Sequence, residues 1–170
     1  MTDRSANAGF TPFEVVTDPN TDPTLLQVVA ELRKLGSDDP LRFHLLRATE
    51  AILSRANRSS GKILLASGSQ YTVDLVDRFA ALLSVGYLPE AADLDLLCGL
   101  VQPGATVVDV GANFGLYAIE MGRLAGSAGT VFAFEPGPSA FALLQSNASA
   151  NGLAGSVHCI KSAVAAESGV

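Results

Sequence analysis

The chain of 170 residues predicts an α/β fold, with a parallel sheet in residues 104–170 behind a mainly helical N-terminal extension. Three observations carry that reading. From Ala105 onward, short continuously apolar runs alternate with stretches of helical periodicity, and strands joined by helices imply crossovers, hence parallel neighbours. Strands that are apolar throughout are those expected when both faces of a sheet are covered. The composition, 48% hydrophobic against 16% charged, supplies enough apolar surface for a core without disulfide staples.

The elements follow in order. Residues 1–23 contain Pro12, Pro19 and Pro23, two Asx turns and little periodicity, which reads as a flexible or loosely docked tail. Residues 24–103 read as a helical extension with a short hairpin. Thr24 and Gln27 form a capping box, and Leu25, Val28, Val29, Leu32 and Leu35 recur at helical spacing until Gly36. Asp39 then stands as an N-cap before Pro40, with Leu41, His44, Leu45, Ala48 and Ile52 on one apolar face. His44 is expected to be a packed histidine there, since no second ligand lies a turn away. The runs at 62–66 and 70–73 flank Ser67-Gly68-Ser69 and read as a hairpin whose pairing partner is open. Helices are expected at 75–83 and 90–101, separated by Gly86-Tyr87-Leu88-Pro89 and closed by Gln102-Pro103-Gly104. Beyond them come strand 106–110, helix 114–125, strand 130–134, helix 138–150 and strand 157–162.

Charge and cysteine usage narrow the function classes. Seventeen acidic against eleven basic side chains leave a net charge of −6, which repels phosphate backbones and anionic lipid surfaces, so neither nucleic acid nor membrane is expected as a partner. No run approaches the roughly 18 apolar residues of a membrane span. Met1 to Phe10 is polar and has no apolar signal core, so the expected compartment is the cytoplasm. Cys98 and Cys159 lack any C-x-x-C spacing and sit in apolar stretches, the pattern of reduced core thiols and not of a metal site. No metal is expected.

The chemistry-bearing stretch is Asp109-Val-Gly111-Ala112-Asn113-Phe-Gly115, where a strand ends and a helix begins. Gly111 and Gly115 let the backbone turn sharply, and N–H groups free at a helix start favour a small anionic or polar ligand. The next strand ends in Phe134-Glu135-Pro136, with Glu135 falling 24 positions after Gly111, a separation that suits a carboxylate accepting both hydroxyls of a ribose. A dinucleotide turn needs G-x-G-x-x-G, but Asn113 and Leu116 occupy two of those glycine positions, so NAD is disfavoured. His158, mid-strand between Val157 and Cys159, reads as a packing residue, as do Phe132, Phe134 and Phe141. Phe114 reads as filler of the helix–sheet contact.

The pattern D-x-G-x-N-x-G resembles the S-adenosylmethionine motif of class I methyltransferases. Together with Tyr117, Phe132-Ala-Phe-Glu-Pro136, Pro138, Asn147 and Asn151-Gly152-Leu153, it resembles the FkbM family over about residues 70 to 170, including Asp77-Arg78, Gly86-Tyr87 and Leu100-Val-Gln-Pro-Gly104. The resemblance implies a Rossmann-like class I methyltransferase sheet ordered 3-2-1-4-5-7-6, of which residues 104–170 would be the N-terminal half, carrying strands 3-2-1 only. It implies O-methylation of a hydroxyl on a sugar, polyketide or related small molecule, with S-adenosylmethionine as donor. Carried over by residue, Asp109, Gly111, Ala112, Asn113 and Gly115 would surround the methionine end. Glu135, followed by Pro136, would hold the ribose, and Ser162 with Ala163 would approach the adenine. Strand 106–110 would then have an unpaired apolar edge. No catalytic base can be named, because the groups that deprotonate the acceptor come from loops after later strands. Two other readings stand beside this one. The chain could be a non-catalytic truncated remnant or assembly module, or a nicotinamide-dependent oxidoreductase.

Overall fold

A computed structural model describes residues 15–16, 23–35, 39–41, 44, 47–49, 51, 60–75, 77–84 and 91–167. Its first half holds β1 (Val15–Val16), α1 (Pro23–Lys34), β2 (Ser60–Leu65), β3 (Gln70–Asp74), α2 (Arg78–Ser84) and α3 (Ala91–Leu100). Its second half holds β4 (Thr106–Val110), α4 (Leu116–Ala125), β5 (Thr130–Phe134), α5 (Pro138–Ala150) and β6 (Val157–Ile160). Local chemistry sets several of these boundaries. Asp39 Oδ1 accepts the Leu41 N–H at 2.8 Å, which is the N-cap anticipated before Pro40. Asp77 Oδ1 accepts the Ala80 N–H at 2.7 Å, so α2 begins at Arg78 and not at Leu75. Pro138 occupies the first turn of α5, where its missing N–H costs nothing.

The strands form two sheets, antiparallel β1-β2-β3 and parallel β4-β5-β6. The order β6-β5-β4 is the 3-2-1 arrangement that the family resemblance implies, with β4 at the edge. Val15 and Val16, placed by the sequence reading in a loose tail, instead pair with Leu65 and Leu64 and add a third strand to the hairpin. Pro12, Pro19, Gly36, Leu45, Ile52 and the Gly86-Tyr87-Leu88-Pro89 stretch lie outside the described residues.

One expectation fails in an instructive way. Among the described residues the parallel sheet is covered on one face only: Val131, Ala133 and Val157 are buried against α4 and α5, whereas Val108 and Val110 are 60% and 58% exposed. Two successive right-handed crossovers that add strands in the same direction put both helices on the same side. Continuous apolarity in the sequence does not report which face is covered. His158 consequently lies exposed on the open face, its ring 5.4 Å from that of Phe132, and is not packed in the core. His44 and Leu41, expected on a packed apolar face, are exposed as well, whereas Ala48 is half-buried and Thr49 is buried. Cys98 and Cys159 are free and half-buried, and no described helix is long and apolar enough to cross a membrane.

The hairpin packs into the core of the second half. Ile63, Leu65, Tyr71 and Val73 from β2 and β3 join Leu83, Leu94, Phe114, Leu116 and Ile119 in one cluster that crosses position 103. Each such fully buried aliphatic side chain contributes roughly 1.5–3 kcal/mol. α4 is therefore buried between the sheet and the hairpin, and it tolerates one buried carboxylate. Glu120, 4% exposed, accepts the Tyr71 hydroxyl at 2.6 Å, with Ser67 Oγ at 3.4 Å. Burial, reinforced by the Glu120 charge, pushes the Tyr71 phenol well above its ordinary value and keeps it a donor.

Candidate functional site

Parallel strands place the ends of β4 and β5 side by side, and open α/β sheets bind ligands at that carboxyl edge. The turn from β4 into α4 contains three left-handed residues: Gly111 (φ 82°), Asn113 (φ 50°) and Gly115 (φ 96°). Glycine is needed at the two ends for different reasons. A Cβ on Gly115 would lie 2.7 Å from Leu144 Cδ1 and 3.2 Å from Ile119 Cδ1, so the turn sits hard against α5. A Cβ on Gly111 would meet nothing within 4 Å, so this glycine faces open space. Asn113 takes the left-handed conformation that asparagine accepts more readily than other side chains do.

The N–H groups of this turn are largely committed within the protein. Gly111 and Ala112 both donate to the Phe134 carbonyl at 2.9 Å, and Gly115 donates to the Ala112 carbonyl at 2.8 Å. Asn113 N–H donates to Glu135 Oε2 at 2.9 Å, and Gly137 N–H donates to Glu135 Oε1 at 2.7 Å. Glu135 is 9% exposed, and these two charge-assisted bonds fix its carboxylate across the ends of both strands. Each oxygen keeps further acceptor capacity.

Asp109 is the counterpart on β4. Its Oδ2 is buried and accepts no hydrogen bond, and it is the one such side-chain atom among the described residues. Burial raises the Asp109 carboxyl above its ordinary value; the Ala118 backbone N–H pulls it down and the Glu135 charge adds to the rise. With the N–H groups of Gly111, Ala112, Asn113 and Gly115 engaged, this edge offers a ligand chiefly its two carboxylates, which suits the polar ligand expected at the helix start better than the anionic one. It fits a ligand that brings a positive charge and hydroxyl donors.

The structure thus brings together Asp109, Gly111, Ala112, Asn113, Gly115 and Glu135. Pro136 follows at the exposed edge of the same loop. Ser162 stands apart in its element: β6 ends at Ile160, and Ser162 lies exposed two residues beyond it, its hydroxyl donating to the Ala163 carbonyl at 3.1 Å. Phe114 is buried edge-on to Tyr71, ring centroids 6.0 Å apart, so its ring serves the core. Sequence reasoning assigned no task to Asn147 and Asn151, which bind the hairpin from α5 and its C-cap. Their sequence signal was their place among the residues that carry the family resemblance.

No protein-family model matches this sequence, and no curated protein does. Among solved structures, the chain is similar to a protein of Clostridium thermocellum provisionally assigned as an rRNA methylase, at 28% identity over 42% of this chain and 39% of that one, TM-score 0.41. It is also similar to a SAM-dependent O-methyltransferase of Thermotoga maritima, at 21% identity over 60% of this chain and 40% of that one, TM-score 0.42. A third similarity is to a tRNA m1G37 methyltransferase of M. jannaschii, at 21% identity over 62% of this chain and 29% of that one, TM-score 0.46. The chain spans two fifths or less of the length of each.

Proposed function

We propose that this chain carries part of the cofactor site of an S-adenosylmethionine-dependent O-methyltransferase that acts on a hydroxyl of a sugar, polyketide or related small molecule, as its resemblance to the FkbM family implies. The observation that carries the cofactor assignment is the orphaned, buried Oδ2 of Asp109 beside a glycine turn that opens toward space at Gly111. The cofactor's ammonium group can donate to that oxygen, and ribose hydroxyls suit the remaining acceptor sites of Glu135. Asp109, Gly111, Ala112, Asn113 and Gly115 would line the methionine end, and Glu135 and Pro136 the ribose. Ser162 is assigned to the adenine side from its position past the end of β6.

When bound, the cofactor supplies an activated methyl group. The protein's own contribution is to hold the acceptor oxygen in line with it and to take up the hydroxyl proton. Within these residues the strands position and the carboxylates bind; the base is assigned to none of them. Nicotinamide cofactors suit the turn less well, because a pyrophosphate needs free N–H donors and those of Gly111, Ala112, Asn113 and Gly115 are already engaged.

Calorimetric titration of the 170-residue chain with S-adenosylhomocysteine, with NADH as control and circular dichroism to confirm folding, tests the proposal. Binding of S-adenosylhomocysteine alone is expected, weakened about tenfold or more in Glu135→Ala through loss of charged hydrogen bonds. A folded chain that binds neither ligand would sink the proposal and favour a non-catalytic module. Tighter binding of NADH would favour the oxidoreductase.

A further inference from the structure

β3 is the last strand of its sheet, and its outer edge is not left bare. Asn147 lies on α5, and Asn151, four residues on, is the C-cap of that helix. Asn147 Oδ1 accepts the Thr72 N–H at 2.7 Å while its Nδ2 donates to the Thr72 carbonyl at 2.9 Å. Asn151 repeats the arrangement on Gln70: Oδ1 accepts its N–H at 2.9 Å and Nδ2 donates to its carbonyl at 2.7 Å. The match is geometric. Alternate residues of a strand repeat about every 6.6 Å and residues four apart on a helix about every 6 Å, so two side-chain amides at the C-terminal end of α5 pair with β3 as a neighbouring strand would.

Asn147 does one thing that Asn151 does not. Its second Nδ2 proton goes to the Phe114 carbonyl at 2.9 Å, inside the glycine turn and between the left-handed Asn113 and Gly115. Asn147 is 1% exposed, so both of its donor protons are committed, one to the hairpin and one to the turn. Phe114 is held from a second direction by its ring contact with Tyr71 of the same hairpin. A buried amide with this set of partners cannot leave one without orphaning a polar group.

We propose that Asn147 is a positioning residue: by binding Thr72 and Phe114 with one amide, it couples docking of the β2–β3 hairpin to the conformation of the glycine turn, and through the turn to cofactor affinity. The last step rests on the cofactor reading given above; the coupling itself does not.

Amide hydrogen exchange on the full chain, read residue by residue by NMR, separates the two. Without ligand, Asn147→Ala is expected to accelerate exchange roughly tenfold at both Thr72 and Gly115, the amide that closes the turn onto Ala112. Asn151→Ala is expected to accelerate Gln70 and to leave Gly115 within about twofold. With S-adenosylhomocysteine, Asn147→Ala is expected to weaken binding about tenfold and Asn151→Ala less than about twofold. By reciprocity, saturating ligand slows Thr72 exchange in the wild type and not in Asn147→Ala. If Asn147→Ala unfolds, Asn147→Asp carries the test: it keeps the acceptor for Thr72 and loses both donors, so Gly115 is expected to accelerate more than Thr72. Wild-type exchange at Gly115 in these variants would overturn the proposal, leaving Asn147 a hairpin anchor only. Equal loss of affinity in Asn147→Ala and Asn151→Ala would also overturn it. A wild-type chain that binds no S-adenosylhomocysteine, yet shows the expected Gly115 response, would sink the cofactor reading and leave the coupling standing.

Discussion

Gly111 and Gly115 have nearly the same backbone conformation, φ +82° and +96°, yet their surroundings differ, and alanine substitution separates conformational strain from packing. Forcing an L side chain into the left-handed region costs about 1 kcal/mol. For Gly111→Ala that is the whole cost, since the added methyl meets nothing within 4 Å. For Gly115→Ala the methyl would lie 2.7 Å from Leu144 Cδ1, and Leu144 is itself fully buried and cannot swing aside, so overpacking brings the loss to about 3 kcal/mol. In a chain of this size each kcal/mol moves Tm by about 2–4 °C, so scanning calorimetry should show a fall of about 3 °C for Gly111→Ala and about 9 °C for Gly115→Ala. Ligand affinity should rank the other way relative to stability, because the Gly111 methyl intrudes on the open space assigned to the ligand. Equal Tm losses would refute the packing argument. Unchanged S-adenosylhomocysteine binding by Gly111→Ala would refute the placement of the ligand.

Three further outcomes are expected. Asp109 has a carboxyl raised by burial, so its favourable contribution is present below its unfolded pKa and is lost as pH rises through the folded one; the Tm advantage of Asp109→Asn over wild type should grow as pH rises above about 4. The same variant should bind S-adenosylmethionine about tenfold more weakly at pH 7, which a stabilised but otherwise neutral substitution would not do. Tyr71→Phe removes the 2.6 Å donor to Glu120 and leaves that buried carboxylate with the 3.4 Å Ser67 contact, a loss of about 2–3 kcal/mol measurable as a lower urea midpoint. Burial, with Glu120 and Asp95 adding to it, pushes the Cys98 thiol up to about 11, so alkylation at pH 8 followed by mass spectrometry should be roughly a hundredfold slower there than for a free thiol.

The second half of the chain was legible because its signals are local. β4, β5 and α5 lie where their apolar runs and the Gly137-Pro138 boundary put them, and the glycine turn is read correctly from residues that alone tolerate left-handed backbone. The spacing from Gly111 to Glu135 likewise follows from one βαβ unit, which returns the chain to the same edge of the sheet. The hairpin turn and the Asp39 cap are equally short-range.

What local pattern could not reveal is which partner each exposed group meets. Apolar β4 reads as buried on both sides, but crossover handedness puts α4 and α5 on one face and leaves Val108 and Val110 to solvent. The turn's N–H groups look available in sequence, but the neighbouring Phe134 carbonyl takes those of Gly111 and Ala112 and the Glu135 carboxylate takes that of Asn113. Asn147 finds Thr72 across 75 positions, and Asn151 finds Gln70 across 81, so nothing near either residue announces its task. The sequence by itself determined the alternating strands and helices of the second half, the glycine turn and the acid at the next strand's tip, because backbone propensity and burial period act within a few residues. The covered face, the engagement of the turn's N–H groups and the amide clamp on β3 were decided by tertiary structure, because hydrogen bonds and desolvation depend on groups brought together only when the chain has folded.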